Sequence, residues 1–306
     1  MIDKNKVLSY DELVDIYSNY CNNINVNKVN LGYPTLERNI RNFRKQEVLT
    51  VLAKSGVGKS ILTLNCALNY IEASEEIALI LSLEMSDFSI AERTMQIKLK
   101  LDGKLIEDAF VEKDFNIISN AKECKDKMNN LKIVPYRMSV QDIPEYVTFV
   151  TKKFRKNVGL IICDHVGLLK NTDFKRDPYN RVTDNMQRMY NYSKDLNVAI
   201  ISVSQVGRED ARKDNINLFS GKESGEVENS SDFVISFEVV SKTSKDTTEL
   251  NMLNQISESH LPYRLMKINI LKNRRGSSYD PLYALFDTRT VIISEYHNNL
   301  LIKQKI

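Results

Sequence analysis

Ala53-Lys54-Ser55-Gly56-Val57-Gly58-Lys59-Ser60 stands between two apolar segments of different period. Before it, Glu47-Val48-Leu49-Thr50-Val51-Leu52 reads as a strand entering a packed core. After it, Ile61 to Tyr70 reads as a helix, with apolar residues at 61, 64 and 68. The stretch fits the P-loop spacing, with alanine where the pattern's first glycine usually stands. Strand, loop and helix in that order give the motif a physical meaning. Backbone N–H groups of the loop and the positive end of the helix can wrap a polyphosphate. Lys59 would reach the β- and γ-phosphates, and Ser60 would offer its hydroxyl to Mg2+. Gly58 would let the backbone approach the phosphate without a Cβ in the way. The competing reading is a chance match, which the flanking strand and helix disfavour.

A chain of 306 residues can bury a sizeable core. Its 42% hydrophobic and 27% charged residues are ordinary for a soluble globular protein. No apolar run approaches membrane-spanning length, and Met1 to Lys6 lead into no apolar signal region. Cys21, Cys66, Cys124 and Cys163 form no CxxC pair, so free thiols in a reducing cytoplasm are expected rather than disulfides or zinc ligands. A net charge of +3 permits nucleic-acid binding without arguing for it.

Outward from the loop, strand-like apolar runs alternate with helical patterns. Strands are expected at 77–83, 132–136, 158–164, 198–205, 232–240 and 264–271, and a hairpin at 281–294. Helices are expected at 88–101, within 102–130, and at 140–156 and 180–195. Residues 207–231 read as a long polar loop with partial order, and 241–262 as a polar stretch with no clean periodicity. Tyr10 to Tyr20 reads as a short helix with Leu13, Ile16, Tyr17 and Tyr20 on one face, capped by Ser9 with Glu12 three residues on. That face would pack on its own domain or on a neighbouring subunit. The alternation predicts one α/β domain with a mostly parallel sheet flanked by helices. In such sheets ligands sit at the carboxyl ends of the strands. Glu84, Asp164 and Gln205 fall at those ends.

The motif set resembles the C-terminal, RecA-like ATPase domain of DnaB-type replicative helicases. The resemblance covers about residues 31–290, with 9–30 similar to the family's linker helix. It divides the chain into a linker segment, 1–30, and an ATPase domain, 31–306. The motifs are Ser82-Leu83-Glu84-Met85-Ser86, Asp164-His165-Val166-Gly167-Leu168-Leu169, Ser204-Gln205-Val206-Gly207-Arg208, Lys222-Glu223-Ser224-Gly225 with Glu228 and Asp232, and Lys272-Asn273-Arg274-Arg275-Gly276. Histidine stands at 165 where tyrosine is usual, and lysine at 222 where arginine is usual. The resemblance implies a RecA-like P-loop NTPase core that uses ATP and Mg2+, single-stranded DNA as partner, and a homo-oligomeric, hexameric ring. The family also carries a helical domain ahead of the linker that binds primase or a loader. The expectation is a single-domain, phage- or plasmid-like version, working in the cytoplasm of a bacterium or phage-infected cell.

Each residue has an implied role and a plainer alternative. Asp164 would hold a water of the Mg2+ shell, or simply cap a helix. Glu84 would orient and activate the attacking water, or be a surface carboxylate. Gln205 would sense the γ-phosphate, or end a strand. Arg274 would act as an arginine finger in trans with Lys272 beside it, or be part of a solvated basic turn. Lys222, with N–H groups around Gly225, would contact a DNA phosphate while Glu223 positions it, or be a loop charge. His165 is expected to be packed rather than catalytic. Three functions compete: a ring helicase driven by ATP, a RecA-like recombinase or regulatory DNA-dependent ATPase without unwinding, and a non-motor protein that uses ATP only to order a surface.

Overall fold

The computed structural model describes residues 8–174, 178–207, 216–220, 224–276 and 279–296. Eleven strands are present among them. β1 (Lys28–Val29) and β2 (Phe43–Arg44) form a small antiparallel ribbon. The other nine build one sheet: β3 (Val48–Ala53), β4 (Ile77–Ser82), β5 (Leu131–Val134), β6 (Val158–Asp164), β7 (Ala199–Gln205), β8 (Phe233–Val239), β9 (Tyr263–Asn273), β10 (Leu282–Asp287) and β11 (Ile293–Glu295). Their order is β11-β10-β9-β8-β3-β7-β6-β4-β5. Every pairing from β8 to β5 is parallel, and β9, β10 and β11 add an antiparallel edge.

The near-continuous apolar sequences of β3, β4 and β6 follow from burial on both faces. Alternate residues divide between two cores. Leu49, Val51, Ala78, Ile80, Leu160 and Ile162 face one side, where the helix Lys59–Ala73 lies. Val48, Leu52, Leu79, Leu81, Ile161 and Cys163 face the other, under the helices Ile143–Phe154 and Pro178–Asp195. The sheet is therefore the middle of three layers, and both faces exclude water. Cys66 and Cys163 are buried free thiols, and burial pushes Cys66 up to about 12.

Most expected elements are present. The strand 158–164 matches residue for residue. Pro144 falls at the start of the helix expected at 140–156, which opens as a 3-10 turn, Val140–Asp142. One expectation needs correction. The stretch 241–262 contains a helix, Thr247–Ser259, capped by Asp246, whose carboxylate accepts from the N–H groups of Thr248 and Glu249. It covers a third, smaller core with Ile256, Leu265 and Leu285. The partial order expected within 207–231 consists, among the described residues, of a 3-10 turn, Leu218–Ser220, and a helix, Ser224–Asn229.

The N-terminal helix is Tyr10–Asn22, with the expected capping box between Ser9 and Glu12. None of its residues is buried. Leu13, Ile16 and Tyr17 are about half exposed, while the Arg44 guanidinium sits 4.9 Å from the centre of the Tyr20 ring. The helix thus touches its own domain through Tyr20 and leaves the rest of its apolar face open.

Candidate active site

The loop 53–60 leaves β3 at the centre of the sheet. Gly56 has φ +76° and Gly58 has φ +103°, both in the region that favours glycine. A Cβ on Gly58 would meet only ordinary contacts, the nearest being Phe286 at 3.6 Å. Among protein atoms it is this backbone angle, not crowding, that requires glycine there. Gly58 precedes the helix Lys59–Ala73, so the turn points the helix's free N–H groups back towards the loop.

Sheet register then gathers the other carboxyl-end residues. Ala53 lies beside Gln205 on β7, and Ser82 lies beside Asp164 across β4 and β6. The Leu83 N–H donates to the Asp164 carbonyl at 2.8 Å, which fastens the Glu84 segment to β6. Lys59 is buried, and its Nζ donates to Glu84 Oε2 at 3.4 Å. Glu84 is half exposed, with 49% of its side chain accessible. The Ser60 hydroxyl lies close to the Asp164 carboxylate and favours its charged form. The expected loop residues, Glu84, Asp164 and Gln205 are therefore one cluster.

Asp164 is 3% exposed. Burial raises its carboxyl above the ordinary range, and Glu84 adds to that. The Ser60 hydroxyl and the charges of Lys59 and Arg93 oppose it. Asp164 Oδ1 is buried without a hydrogen-bond partner. A buried carboxylate oxygen next to a serine hydroxyl fits a hydrated Mg2+ ion. No group of three acidic, histidine or cysteine side chains that could hold a metal occurs among the described residues. An ion here would take most of its ligands from water and phosphate, as Mg2+ usually does. Arg93, on the helix Asp87–Leu99, is not among the residues expected at this site. Only the chain's return past β6 brings its charge near Asp164. His165 is only partly buried, short of the packed core position expected, and its Nδ1 accepts from the Gly167 N–H at 3.2 Å, which caps the 3-10 turn Val166–Leu168.

Gly207, two residues beyond Gln205, donates its N–H to the Ser220 carbonyl at 3.0 Å. The polar loop therefore begins and returns within two residues of Gln205. Lys222, Glu223 and Arg208 lie outside the described residues. Gly225 is exposed on the helix Ser224–Asn229.

Arg274 and Lys272 are elsewhere. Asn273 pairs with Phe233, the first residue of β8. The Arg274 N–H donates to the Asp232 carbonyl at 3.1 Å, and Asp232 Oδ2 accepts from the Val48 N–H at 2.9 Å. Arg274 thus lies at the amino end of β3, and the loop starts at its carboxyl end. Five residue steps along the strand separate Val48 from Ala53, about 17 Å. Lys272 Nζ donates to the Glu228 carbonyl. Burial and the Arg274 charge lower the Lys272 amine below its ordinary range. Arg275 is a local brace, paired with Glu47 and donating to the carbonyls of Arg41 and Asn42.

The family model described as DnaB-like helicase C terminal domain matches residues 28–289. The chain belongs to that family. Among similar sequences, the replicative DNA helicase DnaB of Rickettsia prowazekii is 24% identical over 285 residues, covering 83% of this chain and 56% of the relative. The DnaB of Mycoplasma pneumoniae is 25% identical over 307 residues, covering 95% and 63%. This DnaB-family chain therefore spans a little over half the length of the curated relatives it matches. Among solved structures, one described as an ATPase domain superposes with a TM-score of 0.78 at 18% identity, covering 95% of this chain and all of that one. A DnaB-like replicative helicase, described with its interactions with primase, gives 0.76 at 17% identity over 95% of this chain and 68% of that one. These likenesses show the RecA-like helicase ATPase fold. No helix among the described residues is long and apolar enough to cross a membrane.

Proposed function

We propose that this chain is the motor domain of a DnaB-type replicative helicase. It hydrolyses ATP at subunit interfaces of a homo-oligomeric, hexameric ring, moves along single-stranded DNA and separates the duplex during replication. The observation that carries the reading is the placement of Arg274 at the opposite end of β3 from its own Lys59. A side chain cannot span that distance, so a finger at 274 serves another subunit's nucleotide.

Ala53 to Ser60 bind the phosphates, with Lys59 on the β- and γ-phosphates. Ser60 and Asp164 would hold Mg2+, which neutralises charge developing on the phosphate oxygens. Glu84 leaves its contact with Lys59 when phosphate takes the lysine, and then orients the attacking water and accepts its proton. Gln205 contacts the γ-phosphate and passes its presence to the loop whose base is the Gly207–Ser220 bond. Arg274, with Lys272 beside it, stabilises the transition state in trans. Lys222 and the backbone around Gly225 grip DNA phosphates, with Glu223 positioning Lys222. Residues 1–30 serve as the linker and 31–306 as the ATPase domain, and the open apolar face of the helix Tyr10–Asn22 docks on a neighbouring subunit. The primase named with one structural relative suggests a primase or loader as a further partner, met in the cytoplasm.

Two measurements test this reading. ATP turnover is expected to rise with single-stranded DNA, and a forked duplex is expected to be unwound. Stimulated turnover without unwinding would support the regulatory ATPase alternative instead.

A further inference from the structure

Among the described residues, Arg274 is held on one edge only. Its Nη1 donates to Asp232 Oδ1 at 2.8 Å and to the Tyr190 hydroxyl at 2.5 Å. The guanidinium carbon also sits 5.6 Å from the centre of the Tyr190 ring. Nearly half of the side chain, 48%, remains exposed. Both anchors are themselves fixed. The Asp232 side chain is 7% exposed, and its other oxygen accepts from the Val48 N–H at 2.9 Å, so the first residue of the central strand pins it. Tyr190 sits on the helix Pro178–Asp195, whose Lys194 lies 3.8 Å from the same carboxylate. Lys194 and Lys272 both lie near Asp232, so Asp232 and the nearby Glu228 leave the positive charge of Arg274, Lys194 and Lys272 only partly cancelled.

We propose that Asp232 and Tyr190 are positioning residues that pre-orient Arg274 towards the phosphates of a nucleotide bound by an adjacent subunit. This rests on the in-trans reading of Arg274. A free arginine loses much rotamer freedom on docking, and an arginine held at Nη1 has already lost it. The remaining guanidinium N–H groups keep the planar geometry that suits phosphate.

Tyr190→Phe tests this because it removes the hydroxyl and keeps the ring. ATP turnover in the presence of single-stranded DNA is expected to fall about tenfold, the loss for one hydrogen bond to a charged group. The KM for ATP is expected to stay unchanged and the Tm to fall by no more than a few degrees. In an Arg274→Ala background, Tyr190→Phe is expected to add no further loss. Asp232→Asn, whose amide oxygen can still accept from Val48, supplies a second arm with the same non-additivity. Unchanged or faster turnover in Tyr190→Phe, or an equal further loss in the Arg274→Ala background, overturns the proposal. If Arg274→Ala itself leaves turnover intact, the in-trans reading fails with it. If Arg274→Ala removes turnover and Tyr190→Phe does not reduce it, only the positioning role fails.

Discussion

The two ends of β3 have opposite surroundings. At Ala53 the chain opens into a loop with positive φ at Gly56 and Gly58, beside a half-exposed Glu84 and a long Lys59–Glu84 contact. Two buried oxygens nearby, Asp164 Oδ1 and Ser204 Oγ, have no hydrogen-bond partner. At Val48 the charges instead form a linked set, Arg274 and Lys194 on Asp232 and Arg275 on Glu47. A buried polar atom left unpaired costs stability, and folding usually avoids it. The amino end carries one such atom too, Arg44 Nε, but at the carboxyl end the unpaired oxygens lie where a phosphate and its ion would bind. The amino end uses its carboxylates to fix a cation in place. One end is built to receive charge, and the other to present it.

The largest expected effects come from disabling the two ends separately. Lys59→Ala is expected to abolish phosphate release and weaken nucleotide binding. Arg274→Ala is expected to leave nucleotide binding nearly intact and lower turnover by about 10³-fold or more. Mixing the two variants is expected to restore some turnover, because a mixed assembly contains interfaces with one intact loop facing one intact finger. If no mixture complements, and turnover per chain stays constant on dilution to monomer, the two ends do not act between subunits. Within the carboxyl end, Glu84→Gln is expected to spare nucleotide binding and lower turnover by about 10²–10⁴-fold. Normal turnover in that variant would remove Glu84 from the role of base.

The carboxyl end is readable from sequence because each of its residues sits in or just beyond an apolar run. Asp164 closes the run 158–164, Gln205 closes β7, and Glu84 follows β4 closely. The amino end is readable only in part: the resemblance singles out Arg274, Lys272 and Asp232, but Tyr190 and the contacts that join these residues lie far apart in the chain. Asp232 and Tyr190 meet Arg274 from 42 and 84 residues away, and no local pattern connects them. The helix Thr247–Ser259 is hard to read for a related reason. One of its two buried residues is Glu249, a charge that reads as surface. It is kept inside by Lys267 of β9 at 2.7 Å and by the hydroxyls of Ser244 and Tyr283. Its local signal is Asp246 with Glu249 three residues later, an N-cap followed by an early acidic residue.

A smaller effect concerns the loop that leaves Gln205. Lys222→Ala is expected to weaken single-stranded DNA binding with little sequence dependence. The salt dependence should lose about one phosphate contact, a change of roughly 0.7 in the slope of log K against log salt. Affinity and slope both equal to wild type would detach Lys222 from DNA and leave the carboxyl end without its proposed output.

The smallest effect tests whether the carboxyl end gives up stability for binding. Burial raises the Asp164 carboxyl above the ordinary range. For a group raised on folding, the stability it contributes is full below its unfolded pKa, about 3.9, and is lost as pH rises through the folded value. At neutral pH the ionised Asp164 therefore weakens the fold. Asp164→Asn keeps the shape, removes the charge, and is expected to raise the nucleotide-free Tm by a few degrees at pH 7. The advantage should shrink as the pH falls and the wild-type carboxyl takes up its proton. Adding ATP with Mg2+ should reverse the order, because a ligand stabilises the fold more the more tightly it binds, and the Asn variant has lost a ligand to the ion's water. Turnover should be lost in the same variant. A nucleotide-free Asp164→Asn protein that melts below wild type at pH 7 would mean that the ionised carboxylate supports the fold. The contrast between the two ends of β3 would then rest on the geometry of Arg274 alone.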